Sequence, residues 1–202
     1  MADPNTRDQK LIQYLTEAHG KEKELETALQ AHIAMTSRPP YKKRLQQHLK
    51  ETKAHARGVE RRVKQLGGKV EKVPAPVASA AGAVASVPSK AVAAAKGPLH
   101  ALRGTGEAEK MLKNAKTEFS EEHEEIATYS AIEALAETVG DRETAKLARD
   151  IRREEERMAS FLERQIGTLA KAVAREEIPA AERRGDGGRS RRRRTATRSP
   201  SS

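Results

Sequence analysis

Apolar side chains recur at helical spacing through most of the chain. Leu11, Leu15, Ala18, Leu25, Ala28, Leu29 and Ile33 line one face over residues 7–36, with no internal proline. Asn5 or Thr6 can cap the start, and Ser37-Arg38-Pro39-Pro40 stops the run, Pro40 suiting the first turn of a second helix. That helix runs to Leu66 on Tyr41, Leu45, Leu49, Thr52, Ala56, Val59 and Val63, and Gly67-Gly68 ends it. A third covers about 105–139 on Met111, Leu112, Ala115, Phe119, Ile126, Tyr129, Ile132, Leu135 and Val139. Gly140 closes it, and Asp141 can cap a fourth over 142–172, fraying on to Glu177, on Ala145, Leu147, Ile151, Met158, Phe161, Leu162, Ile166 and Leu169.

Two other stretches carry no such stripe. Residues 69–104 are rich in Ala, Val, Ser and Gly and broken by Pro74, Pro76, Pro88 and Pro98, which predicts a crossing connection with short helices near 78–86 and 89–96, or a loose linker. Residues 180–202 are Arg, Gly, Ser and Thr, a composition that predicts disorder. The division expected is a helical pair in 1–68, a crossover in 69–104, a second pair of the same bundle in 105–179 and an Arg-rich tail. Short links make each pair antiparallel. A long crossover between the second and third helices is the ferritin-like arrangement of an all-α antiparallel four-helix bundle.

Composition supports long helices. Of 202 residues 34% are charged and 2% aromatic, with no Trp and no Cys. So few aromatics argue against a β-sandwich or barrel, and the missing cysteine excludes a disulfide framework, a thiolate metal site and a catalytic thiol. No signal-like apolar region follows the N-terminus and no long apolar run is present, so the expectation is a cytoplasmic protein with no membrane partner. There is no phosphate-cradling Gly-rich loop, no Gly-x-Ser-x-Gly turn and no His-Glu-x-x-His pair. Net charge is +10, of which residues 181–202 supply +6 through eight arginines against Glu182 and Asp186.

The residues that break the stripes carry the chemistry. Glu22 falls on the core face of the first helix, and Glu122, with Glu125 one turn along, on that of the third. In the second, His48 and His55 share a face with Leu45, Thr52 and Val59, and Glu51 lies at i, i+4 from His55. In the fourth, Glu154 and Glu155 fall between Ile151 and Met158. Counted from the 37–40 turn, Glu22 and the Glu51–His55 segment lie at about the same depth, roughly 20–25 Å at 1.5 Å per residue. Counted from Gly140, Glu122 and Glu125 are level with Glu154 and Glu155. Each group sits near mid-helix, so all four can meet at one plane. Buried unpaired carboxylates each cost several kcal/mol, and two metal ions would remove that cost. Carboxylate and imidazole suit iron, manganese or zinc.

At these residues the chain resembles a known family. The segments Tyr14-Leu15-x-Glu17-Ala18-x-x-x-Glu22-Lys23-x-Leu25, His48-Leu49-x-Glu51-Thr52-x-x-His55, Glu122-His123-x-Glu125-Ile126-Ala127-x-Tyr129 and Glu154-Glu155-Glu156 are similar to those of the YciE/YciF-type ferritin-like stress proteins, relatives of rubrerythrin and bacterioferritin. The resemblance implies a di-metal, di-iron centre in a homodimer or larger homo-oligomer tied to stress. Fe(II) oxidation by oxygen or peroxide is the implied activity. It carries over Glu22 as the first-helix ligand, Glu51 and His55 as the second-helix pair, Glu122 and Glu125 from the third, and Glu154 or Glu155 from the fourth. The family pattern has Glu-x-x-His on two helices, whereas here the spacing is Glu51-x-x-x-His55 and the fourth helix has no histidine, which leaves His48 or His123 to substitute.

Two alternatives stand beside this reading. The run Arg191, Arg192, Arg193 and Arg194, with its neighbours Arg183, Arg184, Arg189 and Arg198, could neutralise phosphates of DNA or RNA. A structural bundle without metal is the other.

Overall fold

The structure, a computed structural model, describes residues 4–70 and 106–183. The expected crossover, with its short helices near 78–86 and 89–96, and the arginines 191–194 lie outside the described residues. Within them the chain forms α1 (Thr6–Met35), α2 (Pro39–Gln65), α3 (Glu107–Thr138) and α4 (Arg142–Glu177), with no strand among the described residues. The fourth helix continues to Glu177 without a break, five residues beyond the core expected for it.

The ends follow the local chemistry. The Asn5 side chain accepts from Asp8 N at 2.9 Å, and Asp141 accepts from Thr144 N at 3.0 Å, so each occupies one of the free amides of a first turn. Pro39 occupies the first position of α2, where no amide is needed. Gly67 (φ +86°) and Gly140 (φ +75°) take the left-handed conformation that closes α2 and α3. Arg62, near the end of α2, reaches both oxygens of Asp141 at 2.8 and 2.7 Å and Thr144 Oγ1 at 2.8 Å, tying that end to the α3–α4 turn.

Each helix buries residues spaced alternately by three and four. In α1 these are Leu11, Leu15, Ala18, Glu22, Leu25 and Leu29, the repeat of a left-handed bundle. In α3 the buried row is Met111, Ala115, Glu118, Glu122, Glu125, Tyr129 and Ile132. Phe119 and Ile126, read from the sequence as core positions, are only half-buried, because the stripe follows the acids one notch round the helix.

Contacts set the topology. Tyr129 meets Glu22 and His32 meets Glu118, so α1 and α3 run antiparallel. His55 meets Glu154 while Arg62 meets Glu143, so α2 and α4 do too. With α1 and α2 also antiparallel, α2 and α3 run parallel across the diagonal. The end of α2 and the start of α3 therefore lie at opposite ends of rods about 45 Å long, which is why a long connection must join them.

The core is two apolar blocks. Leu25, Leu29, Tyr41, Leu45, Met111, Ala115, Met158, Leu162 and Leu169 form one. Leu15, Ala18, Val59, Val63, Tyr129, Ile132, Ala148 and Ile151 form the other, with Leu11, Ala136 and Ala145 beyond. Between them lies a layer of buried polar side chains: Glu22, His48, Thr52, His55, Glu122, Glu125 and Glu155. No helix among the described residues is long and apolar enough to cross a membrane.

Leu162 is fully buried in the first block. Leu162→Ala is expected to lower unfolding free energy in urea by about 2–5 kcal/mol with an unchanged denaturant slope.

Candidate metal centre

Glu155 of α4 stands at the middle of the polar layer. Its Oε1 lies 2.9 Å from His55 Nδ1 and its Oε2 3.5 Å from His48 Nε2. His48 Nε2 is also 3.0 Å from Glu122 Oε1, and His55 Nδ1 is 3.5 Å from Glu22 Oε1. Two groups result, Glu22–His55–Glu155 and His48–Glu122–Glu155, each offering three ligand atoms within 4.8 Å of one another. All four helices contribute, and all five residues are buried. Glu125 of α3 is buried beside them.

The layer is short of hydrogen bonds. Glu22 Oε2 and both carboxylate oxygens of Glu122, Glu125 and Glu155 have no hydrogen-bond partner, and neither do the inward nitrogens His48 Nε2 and His55 Nδ1. Buried polar atoms are ordinarily satisfied, and nearby α3 supplies the comparison. Glu118, equally buried one turn before Glu122, receives the Tyr41 hydroxyl on Oε2, while its Oε1 meets His32 Nδ1 at 2.7 Å in an ion-pair contact without a hydrogen bond. Around the two histidines seven carboxylate oxygens lack a hydrogen bond, those of Glu122 and Glu155 meeting the rings only in ion-pair contacts. Carboxylate and imidazole donors left free and converging are the donor set of a divalent or trivalent cation site, so the residues present fit a metal.

The electrostatics agree. Burial raises the Glu125 carboxyl well above its usual range, with Glu22, Glu155 and Glu122 adding to the effect. Burial also raises Glu122 to about 8, against the pull of His48, and raises Glu22 against His55. Both rings go up: burial pushes them down, but adjacent carboxylates outweigh it and carry His48 to about 10 and His55 to about 11. Glu155 goes down; burial opposes this, but His55 and His48 prevail. Without a cation the layer holds itself together by keeping protons.

The outer acids play a different part. Glu51, 21% exposed, sits 3.2 Å from His48 Nδ1 and accepts from Arg44 at 2.9 Å. Its hydrogen bond with His48 holds it down to about 2, despite partial burial. Glu154, 35% exposed, is 2.9 Å from His55 Nε2. Each carboxylate stands on the outward nitrogen of a histidine, so that when the ring is neutral its proton is held outside and the lone pair of the other nitrogen faces the core. Of the residues singled out from sequence, the structure brings Glu22, His55, Glu122, Glu125 and Glu155 together and leaves Glu51 and Glu154 at the rim. It adds His48 from the inside and leaves His123 exposed, bonded to Phe119 O at 2.8 Å. Glu118 went unread, although its spacing of four from Glu122 was the available signal. Tyr129 donates to Glu22 Oε1 at 2.5 Å and so fixes which oxygen stays free.

The signature of the family described as "Domain of unknown function (DUF892)" matches residues 6–175. The chain belongs to this family. The DUF892 chain is similar in structure to a protein from Xanthomonas campestris pv. campestris, at 26% identity over 86% of this chain and 100% of that one, TM-score 0.64. It is similar to the Escherichia coli stress protein YciF at 20% identity over 83% of this chain and 98% of that one, TM-score 0.57. A bacterioferritin of Desulfovibrio desulfuricans, described with a diiron site, matches at 17% identity over 85% of this chain and 86% of that one, TM-score 0.62. No curated protein matches the sequence. The chain has the ferritin-like fold, the all-α four-helix bundle expected from its pattern.

In metal-free protein, Glu125→Gln is expected to raise stability, and the gain should grow with pH. A carboxyl whose folded pKa is raised favours folding below its unfolded value near 4.5 and loses that advantage as pH climbs toward the folded one. Glutamine does not titrate, so the difference should widen by up to about 1.4 kcal/mol per pH unit from pH 5 upward. Chelator-treated samples followed by chemical denaturation at several pH values would read it; a constant difference would show that Glu125 carries no buried-charge cost.

Proposed function

We propose that this protein is a ferritin-like metal-binding protein whose core holds two cations, iron by preference, and that it serves in handling Fe(II) and oxidants under stress. The observation that carries the reading is the sharing of Glu155 by two three-residue groups, its oxygens facing only the two imidazoles and the neighbouring acids. Glu22 and His55 would serve one cation, His48 and Glu122 the other, and Glu155 both. Glu125, with two unpartnered oxygens at the same level, completes the set. Four carboxylates balance two divalent cations once both imidazoles are neutral, which accounts for two ions rather than one. The resemblance to YciF and to a diiron bacterioferritin favours iron, although manganese or zinc fits the same donors.

When bound, a pair of iron ions supplies the electrons that reduce oxygen or peroxide. The chain's own residues do the rest. Glu51 and Glu154 hold the histidine rings in the tautomer that presents a lone pair inward. Tyr129 holds Glu22. The apolar blocks above and below exclude water, which strengthens each electrostatic contact in the layer. Assembly as a homodimer or larger homo-oligomer belongs to the same reading.

Loading should release protons. His48, His55 and Glu122 titrate above neutrality in the bare protein and burial raises Glu125 as well, so at pH 7 a metal displaces protons from the layer and affinity rises with pH. Anaerobic calorimetry of the metal-free protein with Fe(II) or Mn(II), in buffers of different ionisation enthalpy, should give two ions per chain and more than one proton released. Glu22→Ala and Glu122→Ala should each abolish tight binding at one ion or both. Absence of tight binding in the wild type, or unchanged binding in both variants, would contradict the proposal.

A further inference from the structure

Charge is distributed unevenly among the four helices. α2 carries nine Lys and Arg against Glu51 and Glu60, while α3, its diagonal partner, carries nine Glu against three Lys. The acids of α3 that face outward are largely matched within the chain: Glu133 by Arg149 and Arg152, Glu137 by Arg149, Glu124 by Lys21 and Glu109 by Lys113. The cations of α2 are not. Lys42, Lys43, Lys50, Arg57 and Arg61 have no ion-pair partner among the described residues, whereas Lys53 pairs with Glu26 and Lys64 with Glu60. At 100° per residue these seven fall within an arc of about 100° on the side opposite Leu45, Thr52 and Val59, in a stripe about 33 Å long from Lys42 to Lys64.

We propose that this stripe is a binding surface for the phosphate backbone of double-stranded nucleic acid, read without regard to sequence. A duplex presents one negative charge per about 1.7 Å of axis, so a straight helix of this length lies alongside roughly 20 of them. It also stays straight over that distance, since its persistence length is about 150 base pairs. Single strands fit less well. They are held by stacking on aromatic side chains, and the one aromatic of α2, Tyr41, is buried against Glu118. A membrane surface fits less well again. Interfacial helices insert large apolar side chains, and the exposed large hydrophobics among the described residues are Met35 and Ile178, outside α2. A second copy of the chain offers a poorer complement, because the outward acids of its α3 are largely paired with its own lysines and arginines. The surface is independent of the metal layer, which occupies the opposite, inward face of α2, and of the arginines at 191–194.

The test is a salt titration of the full-length protein against a mixed-sequence 30-base-pair DNA duplex, followed by fluorescence anisotropy. Five phosphate contacts from the unpaired cations alone contribute about −4 to −5 to the slope of log K against log salt. The triple variant Lys50→Gln, Arg57→Gln, Arg61→Gln should make the slope shallower by about 3. A control of equal charge loss elsewhere, Lys10→Gln, Lys110→Gln, Lys116→Gln, should leave it within one unit of wild type. Circular dichroism and bound-metal content should be the same in all three proteins. The proposal is overturned if the two triple variants shift the slope equally, which would make binding a matter of net charge. It is equally overturned if neither shifts it, or if the stripe variant loses binding to a single strand or to phosphatidylserine vesicles while duplex binding stands. Salt-dependent self-association of the wild type, lost in the stripe variant by sedimentation velocity, would assign the surface to a second copy instead.

Discussion

Four carboxylates and two imidazoles occupy one layer at the middle of a bundle whose remaining interior is apolar, and the rest of the molecule is arranged around that layer. An ion brought out of water into a protein interior costs several kcal/mol unless it is matched by charge and hydrogen bonds. Here the matching inside the protein is incomplete. Glu118 receives the Tyr41 hydroxyl on one oxygen and Glu22 the Tyr129 hydroxyl. Glu122, Glu125 and Glu155 receive no hydroxyl, and the imidazoles meet Glu122 and Glu155 only in ion-pair contacts. The chain retains a layer that is costly when bare, a cost that the proposed cation pair would remove.

The architecture follows from delivering these side chains from four directions. Glu22, His48 with His55, Glu122 with Glu125, and Glu155 come from different helices, each near mid-length, so none depends on a loop for its position. Mid-helix placement with packed leucine, valine and methionine on both sides gives the side chains fixed rotamers. It also requires the second and third helices to run parallel across the diagonal, and hence the long link between them. The polar layer uses the inward face of every helix, which leaves the outward face of α2 free to carry a different property, its dense and largely unpaired positive charge.

Much of this was legible in the sequence because helix periodicity and depth are simple geometry. The Asn5 and Asp141 caps and the Gly67 and Gly140 stops mark helix ends, the prolines mark the start of α2 one residue earlier than the expected Pro40, and counting residues from the two turns brings the acids level. What periodicity could not resolve is a rotation of one position. Leu112, Phe119 and Ile126 make an apolar row on α3 as plausible as the true one, and only neighbouring helices decide that Glu118 and Glu125 face inward instead. The same uncertainty separates Glu51 from His48 and Glu154 from Glu155. Members of each pair lie one or three residues apart, and the structure turns one toward the core and the other to the rim, where it holds a histidine ring. Spacing read as Glu51-x-x-x-His55 pointed to one centre, whereas the geometry pairs Glu51 with His48.

Anomalous diffraction from crystals of the metal-loaded protein tests the central claim most directly. The account predicts two anomalous peaks inside the bundle, one against His48 and Glu122 and one against His55 and Glu22, both in contact with Glu155. It would be contradicted by a core with no anomalous peak in which the oxygens of Glu122, Glu125 and Glu155 are satisfied by ordered water, or by metal found only at the surface.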